Sequence, residues 1–292
     1  MKQHPLTLRA CVKINIGLDV LRKRPDGFHD IQSIFVALDM HDTIVFEPQP
    51  QLEVVCIPAV TDSPDSNIVA KAARAYATAF PNDAASAKIT VNKGIPTGAG
   101  LGGGSSDAAS TLLGLAYLNG RPHTTELINH LEPLAQMLGS DVPFFLRYGV
   151  AHVRGRGEHV SRLDDTFPWC VLLVCPGIHV NTAHAYSTLG ITGEQPQSDL
   201  LQSWRQAIDA QVIARGEFTN DFERSVFTEH PILATIKSSL YEHGANYASM
   251  SGSGSTMFGL FTSVDKAVDA QGAFEGLQTY ICAPVTEAYR IL

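Results

Sequence analysis

The stretch IPTGAGLGGGSSDAAS, Ile95 to Ser110, places five glycines among the seven positions from Gly98 to Gly104 and then passes directly into small polar residues and alanines. Glycine loses more conformational freedom on folding than any other residue. A run of five must recover that cost, and close approach of a ligand to bare backbone is the usual way. Downstream, Ala108, Ala109, Leu112, Leu113 and Ala116 recur at helical spacing behind Ser105, Ser106 and Asp107, which are capping residue types. Upstream, AKITVNKGIP reads as a strand ending at Pro96. A strand, a glycine loop and a helix start together predict a phosphate site. Loop and first-turn N–H groups converge on the anion, and the helix dipole adds about half a positive charge. A Cβ at any of these positions would hold the phosphate away from the amides.

Gly98, Gly100 and Gly103 also satisfy the G-x-G-x-x-G spacing of dinucleotide sites. That reading requires the loop to follow its strand at once and an acid to end the next strand about 20 residues later. Here Ile95-Pro96-Thr97 intervenes, and the first acid after Asp107 is Glu126, in the first turn of a helix started by Thr124 or Thr125. No lysine follows the glycines, so the loop is not a P-loop.

With 292 residues, 45% of them apolar, the chain is long enough for two domains. Strands mixed with helices in both halves predict two α+β domains, residues 1–158 and 159–292, joined near 155–165. The net charge of −8, with no basic run longer than Arg22-Lys23-Arg24, argues against nucleic acid or a membrane surface as partner. The longest apolar run, WCVLLVC from Trp169, is far shorter than the roughly 20 residues of a membrane span. The opening MKQHPLTLRACVKINIG lacks the apolar core and cleavage site of a signal peptide, so a cytoplasmic location is expected. Five scattered cysteines without a CxxC read as free thiols, and the eleven histidines form no HExxH or zinc-spaced group.

Along the chain, Leu6 to Val20 alternates strictly, which puts Leu6, Leu8, Ala10, Val12, Ile14, Ile16, Leu18 and Val20 on one strand face and aims Lys13 and Asn15 together from the other. Pro25-Asp26-Gly27 marks a turn before a returning strand, IQSIFVAL. SNIVAKAARAYATAF reads as a helix capped by Ser66, and TTELINHLEPLAQML as another closed by Gly139. In the second half, SDLLQSWRQAIDAQVIARG, ILATIKSSLYEHG and VDKAVDAQGAFEG read as helices. WCVLLVCPG, NYASM, TMFGLF and TYICA read as strands, with NYASM and TMFGLF bracketing a second glycine loop, SGSGS from Ser251.

PTGAGLGGGSSDAA resembles the phosphate motif of the GHMP kinases. KINIGLDVLRKRPDGFHDIQSIF from Lys13, GSDVPFFL from Gly139 and SGSGSTMFGLF from Ser251 narrow the likeness. They are similar to the GHMP kinase family that phosphorylates 4-diphosphocytidyl-2-C-methyl-D-erythritol in the non-mevalonate isoprenoid route. Phe28 stands where that family commonly has Tyr, and Ser251 and Ser253 replace a common Thr pattern. The resemblance implies a ribosomal-protein-S5-domain-2-like N-terminal domain and a ferredoxin-like C-terminal one. It implies ATP with Mg2+, a small-molecule substrate phosphorylated on its tertiary 2-hydroxyl, and a monomer or weak homodimer. A GHMP kinase of the homoserine or mevalonate type is the alternative, although the GEH-type N-terminal motif expected of a mevalonate kinase is absent.

Residue by residue, the resemblance makes Asp141 the proton acceptor and Lys13 its partner. It gives the nucleotide Pro96, Thr97, Gly98, Ala99, Gly100, Leu101, Gly102, Gly103, Gly104, Ser105 and Ser106, and the cytidylated alcohol Asn15, Phe28, His29, Thr182 and Tyr186. Taken without it, Asp141 reads as a helix cap, Lys13 as part of a solvated strand face, and Phe28 and Tyr186 as core. Ser105, Ser106 and Asp107 are the candidate magnesium contacts, with the choice among them open. Asn67, Ile68 and Lys93 are placed near the adenine. TNDFE, Thr219 to Glu223, resembles a family stretch to which chemistry assigns no role.

Overall fold

Strands β1 (Leu6–Lys23) and β2 (His29–Pro48) form a long antiparallel hairpin about the Pro25-Asp26-Gly27 turn. Gly27 there takes φ 87°, and Asp26 accepts the Phe28 N–H at 3.1 Å. The computed structural model describes residues 5–83 and 86–292, so the start of the opening segment read for a signal peptide, residues 1–4, lies outside the described residues. There follow β3 (Glu53–Ile57), α1 (Ile68–Ala79), β4 (Ala87–Asn92), α2 (Gly103–Leu118), α3 (Thr125–Leu138), α4 (Val142–Phe145), β5 (Val150–Gly155) and β6 (His159–Arg162). The remainder runs β7 (Cys170–Cys175), α5 (Thr182–Thr188), α6 (Leu200–Ala210), α7 (Phe222–Glu229), α8 (Pro231–Glu242), β8 (Tyr247–Met250), β9 (Met257–Phe261), α9 (Val264–Gln271), β10 (Gln278–Cys282) and β11 (Tyr289–Ile291).

The first sheet is ordered β11-β1-β2-β4-β3, while the other end of β2 pairs with β5, which carries β6. Helices α1, α2, α3 and α4 cover one face through a core that includes Phe46, Tyr76, Leu112 and Phe144. The second sheet, β10-β7-β9-β8, is antiparallel throughout. The expected division between residues 158 and 159 falls inside the β5–β6 hairpin of the first sheet. The last strand, β11, also returns there to pair β1 at Leu8–Ala10. Both additions supply partners to backbone groups that would otherwise lie bare on a sheet edge.

Strict alternation does not keep β1 on one face. The β1–β2 register breaks between Cys11 and Val12 and again between Ile16 and Leu18. Leu6, Leu8 and Ala10 therefore enter the helix-covered core, Val12, Ile14 and Ile16 a second core against β7 and β9, and Leu18 and Val20 a third. A bulge re-aims the residues beyond it. Lys13 and Asn15 do share a side as expected, but it is buried, at 4% and 1% exposure.

Helix ends differ from expectation in several places. Asn67, not Ser66, caps α1 by accepting the Val69 N–H at 2.9 Å. Helix α2 starts at Gly103 behind Gly102 in a left-handed conformation with no side-chain cap, so Ser105, Ser106 and Asp107 lie within the helix. Strand β4 stops at Asn92, four residues before Pro96, because Asp42 takes the N–H groups of Gly94 and Ile95 out of the ladder at 2.7 and 2.9 Å. The expected α6 is likewise shortened, ending at Ala210 before Gln211, whose φ is 54°.

Candidate active site

Lys13 is the buried centre of the site. The Lys13 ammonium donates to Asn15 Oδ1 at 2.7 Å and to the Gly100 carbonyl at 3.2 Å, and lies 3.6 Å from Asp141 Oδ2. It also sits 4.7 Å from the centre of the Phe35 ring, a cation–π contact. Burial pulls its pKa below the ordinary lysine range, while Asp141 pulls the other way. Asn15 is fixed in turn by donating to Ser33 Oγ at 3.0 Å, and Ser33 donates to the Gly17 carbonyl at 2.5 Å. Asp141 stands at the N-cap of α4, yet its side chain makes no capping hydrogen bond, and its carboxylate is 29% exposed. The helix-cap reading of Asp141 and the solvated-face reading of Lys13 both give way to this pair.

The first glycine loop crosses from β4 to α2 directly over Lys13. The Lys13 N–H donates to the Leu101 carbonyl at 3.0 Å, and the Thr256 N–H to the Ala99 carbonyl at 3.2 Å. Ala99 and Leu101 bury their side chains in the second core and so offer a ligand only backbone. Gly98, Gly100 and Gly102 have φ of 67°, 79° and 72°, left-handed backbone that favours glycine. A Cβ on Gly100 would lie 2.1 Å from the Ser251 carbonyl oxygen, one on Gly102 2.8 Å from Phe145, and one on Gly103 3.1 Å from Ile95. Backbone conformation and internal packing thus demand glycine at Gly100 and Gly102 independently of any phosphate, while at Gly103 the Ile95 side chain would have to give by a few tenths of an ångström. The left-handed backbone also calls for glycine at Gly98, where a Cβ would meet the His179 ring at 2.8 Å, and the ligand argument is strongest at Gly104, exposed and with no neighbour closer than Ile68 at 3.8 Å.

Beside the loop opens a cleft of about 650 Å³ lined by Lys13, Asn15, Gly100, Gly102, Asp141, Phe28, His29, Thr182 and Tyr186, which brings both expected catalytic residues together with all five expected substrate residues. A smaller hollow of about 370 Å³, lined by Gly98, Gly100, His179, Asn181, Thr182 and Ser253, adjoins it. Thr182 and Ser253 hydroxyls meet at 2.9 Å, linking α5 to the second glycine loop. The rings of His29 and Tyr186 stack with centroids 4.7 Å apart and planes 13° apart, and Tyr186 packs edge-on against Phe222. Burial and the nearby Lys23 hold the His29 imidazole below its ordinary pKa. Phe28 is 51% exposed and carries the Arg156 guanidinium over its face at 4.8 Å, so the core reading of Phe28 is set aside.

Sequence reading missed Lys23 and Arg156, which also line the cleft. The only signal for Arg156 is its place between Gly155 and Gly157, both at positive φ in the β5–β6 turn. Of the residues placed near an adenine, Asn67 is engaged in capping α1. Lys93 is buried in ion pairs with Asp42 and, at 2.8 Å, with Asp107. Burial pushes Asp107 up to about 7 against the pull of Lys93, and its Oδ1 finds no partner, nor does the buried Ser106 hydroxyl.

Among the described residues no group of three or more His, Cys, Asp or Glu side chains is arranged to hold a metal ion, and no helix is long and apolar enough to cross a membrane. The five cysteines are free thiols.

Residues 67–149 match the GHMP kinases N terminal domain and residues 203–277 the GHMP kinases C terminal. A 4-diphosphocytidyl-2-C-methyl-D-erythritol kinase from Prosthecochloris aestuarii (strain DSM 271 / SK 413) is 37% identical over 287 residues, covering 97% of each chain. A crystal structure of a 4-(cytidine 5'-diphospho)-2C-methyl-D-erythritol kinase superposes with a TM-score of 0.78 at 30% identity, over 94% of this chain and 98% of that one. A homoserine kinase from Cytophaga hutchinsonii ATCC 33406 shares the fold, with a TM-score of 0.69 at 16% identity over 100% and 98% of the two chains. The α+β fold expected from the resemblance is therefore that of the GHMP kinases, and the chain belongs to the 4-diphosphocytidyl-2-C-methyl-D-erythritol kinase family within them.

Proposed function

We propose that this kinase transfers the γ-phosphoryl group of ATP to the tertiary 2-hydroxyl of 4-diphosphocytidyl-2-C-methyl-D-erythritol, with Asp141 receiving the hydroxyl proton. The observation that carries the reading is the Lys13–Asp141 pair, 3.6 Å apart at the wall of a cleft that also holds the glycine loop and the His29–Tyr186 stack. Phosphoryl transfer has a loose transition state, so the protein mainly positions groups and neutralises charge. Lys13, held by Asn15 and the Gly100 carbonyl, orients the carboxylate and stabilises the alkoxide as the proton leaves.

The nucleotide phosphates lie over the loop from Pro96 to Gly104 and the first turn of α2, where Ser105 and Ser106 follow. Magnesium bound with ATP would neutralise charge on the phosphates, and such ions keep several waters and few protein ligands. Ser105, half-buried, would be the side chain to touch it, because Ser106 is fully buried and the Asp107 carboxylate is committed to Lys93. Asn15, Phe28, His29, Thr182 and Tyr186 receive the cytidylated alcohol, the aromatic rings offering stacking surface to the base. The two halves then divide the work: residues 1–158 carry the nucleotide loop and both catalytic residues, and residues 159–292 close the cleft with Thr182, Tyr186 and the second glycine loop. The net charge of −8 supports a protein that binds neither nucleic acid nor membrane, and a cytoplasmic monomer or weak homodimer is what the family likeness implies.

The test is ADP release from Mg-ATP with diphosphocytidyl-methylerythritol, homoserine, mevalonate and galactose assayed in parallel. Turnover confined to the cytidylated alcohol is expected. Turnover of another alcohol instead would remove Phe28, His29 and Tyr186 from a base site.

A further inference from the structure

The segment Thr219 to Glu223 is bound on both of its sides. Along β1, the Leu18 N–H donates to the Thr219 carbonyl at 2.7 Å, the Asp221 N–H to the Leu18 carbonyl at 3.0 Å, and the Val20 N–H to Asp221 Oδ2 at 2.7 Å. This is where the β1–β2 register shifts and Gly17 takes φ 68°. Along β8, Glu223 Oε1 accepts from the Ser249 hydroxyl and the Met250 N–H, both at 2.9 Å, and Lys237 neutralises the other oxygen at 2.5 Å.

Asn220 lies between these two sets of contacts, 3% exposed. Its Nδ2 donates to the carbonyls of Met250 and Gly252, each at 2.8 Å, and its Oδ1 accepts the Phe222 N–H at 3.0 Å. Both amide protons and the carbonyl are thereby used, a pattern no carboxylate or hydroxyl can supply. The two carbonyls flank Ser251, whose hydroxyl donates to the Gly100 carbonyl at 2.9 Å, the same oxygen that accepts from Lys13. Gly252 lies close against this group, a Cβ there falling 3.5 Å from Lys13 Nζ.

We infer that Asn220 is a positioning residue for phosphoryl transfer: by clamping the carbonyls on either side of Ser251, it sets the second glycine loop so that Ser251 and Lys13 converge on the Gly100 carbonyl. The inference rests on the kinase reading above. A shift of about 1 Å in such a group costs on the order of 100-fold in rate, which gives a well-packed clamp that does not itself line the cleft a kinetic role.

The test compares wild type with Asn220→Asp, which places a carboxylate against two carbonyl oxygens, with Ser251→Ala, and with the double variant. Asn220→Asp is expected to lower kcat about tenfold or more while the KM for the alcohol stays within about threefold. The double variant should lose no more than the worse single one, because both act through one contact. Amide exchange gives a readout independent of turnover. The N–H groups of Lys13 and Thr256, bonded to the first loop, should exchange faster in Asn220→Asp. A kcat within about twofold of wild type per folded molecule, additive losses, or faster exchange confined to residues 220–222 and 250–252 would overturn the assignment. If Asn220→Asp does not fold, Ser251→Ala decides, and an unchanged kcat there overturns it equally. If wild type phosphorylates a different alcohol, the substrate reading falls, and the Asn220 comparison is made with the alcohol that is turned over.

Discussion

Lys13 Nζ and Asp141 Oδ2 stand 3.6 Å apart, the lysine almost fully buried and the carboxylate open to the cleft. That asymmetry assigns their work. A desolvated ammonium held by fixed acceptors stabilises developing negative charge strongly, and a carboxylate reached by substrate can accept a proton.

Asp141→Asn keeps the shape and removes the proton acceptor. Turnover should fall by about 10²–10⁴, the ordinary contribution of a general base, with ATP binding by calorimetry little changed. Lys13→Met should also abolish most turnover, and either variant with near-wild-type kcat would remove that residue from the mechanism.

Gly100 and Gly104 separate two reasons for glycine. Gly100→Ala would place a Cβ 2.1 Å from the Ser251 carbonyl in a residue at φ 79°. It should cost about 1–3 kcal/mol of stability from the backbone conformation alone, and turnover with it. Gly104→Ala fits the helix without a clash, so it should raise stability by about 0.4–1 kcal/mol while weakening ATP binding. Thermal denaturation with and without ATP checks both. An unchanged ATP affinity in Gly104→Ala would mean that the phosphates do not approach that position.

Asp107 gives the fold a pH dependence of defined sign. Its pKa rises from 3.8 unfolded to about 7 folded, so between these values the folded state holds a proton that the unfolded chain has released. Stability therefore falls as pH rises through that window and levels off above it. Lys93, whose pKa is raised by Asp107 and Asp42 despite its burial, stays charged throughout the window. The urea midpoint of wild type minus that of Asp107→Asn should decline from about pH 4 to about pH 7 and then become flat. Parallel curves would place the proton elsewhere.

How far the sequence reveals the site depends on the range of the interactions involved. The glycine loop, the helix after it and the strands bracketing the second loop were legible because turn chemistry and periodicity are local. Lys13 and Asn15 share a face for the same reason. The bulge between Cys11 and Val12 was not legible, since it is set by pairing with β2, and neither was the burial of Lys13, which the first glycine loop covers. Asn67 displaces Ser66 as a cap, a one-residue difference between two equally good capping types. The Gly100–Ser251 approach joins residues 151 apart and leaves no trace in either local pattern. Arg156 and the clamp of Asn220 escaped notice likewise, because only the fold brings them to the cleft and to the second loop.

The His29–Tyr186 stack makes the last prediction. Tyr186→Ala removes one ring of the pair and a surface worth about 1–3 kcal/mol to a stacked base, so the KM for the cytidylated alcohol should rise about 5- to 150-fold while the KM for ATP stays put. The pH profile adds a second readout. His29 has its pKa held below the ordinary value of 6.5 by burial first and by Lys23 second, so the neutral ring is favoured and protonation begins only at more acid pH. The alcohol's KM should therefore be level through neutrality and change only below that ordinary value, and His29→Gln should flatten the profile. If Tyr186→Ala raises the KM for both substrates equally, the ring supports the cleft as a whole, and a base stacked on it is excluded.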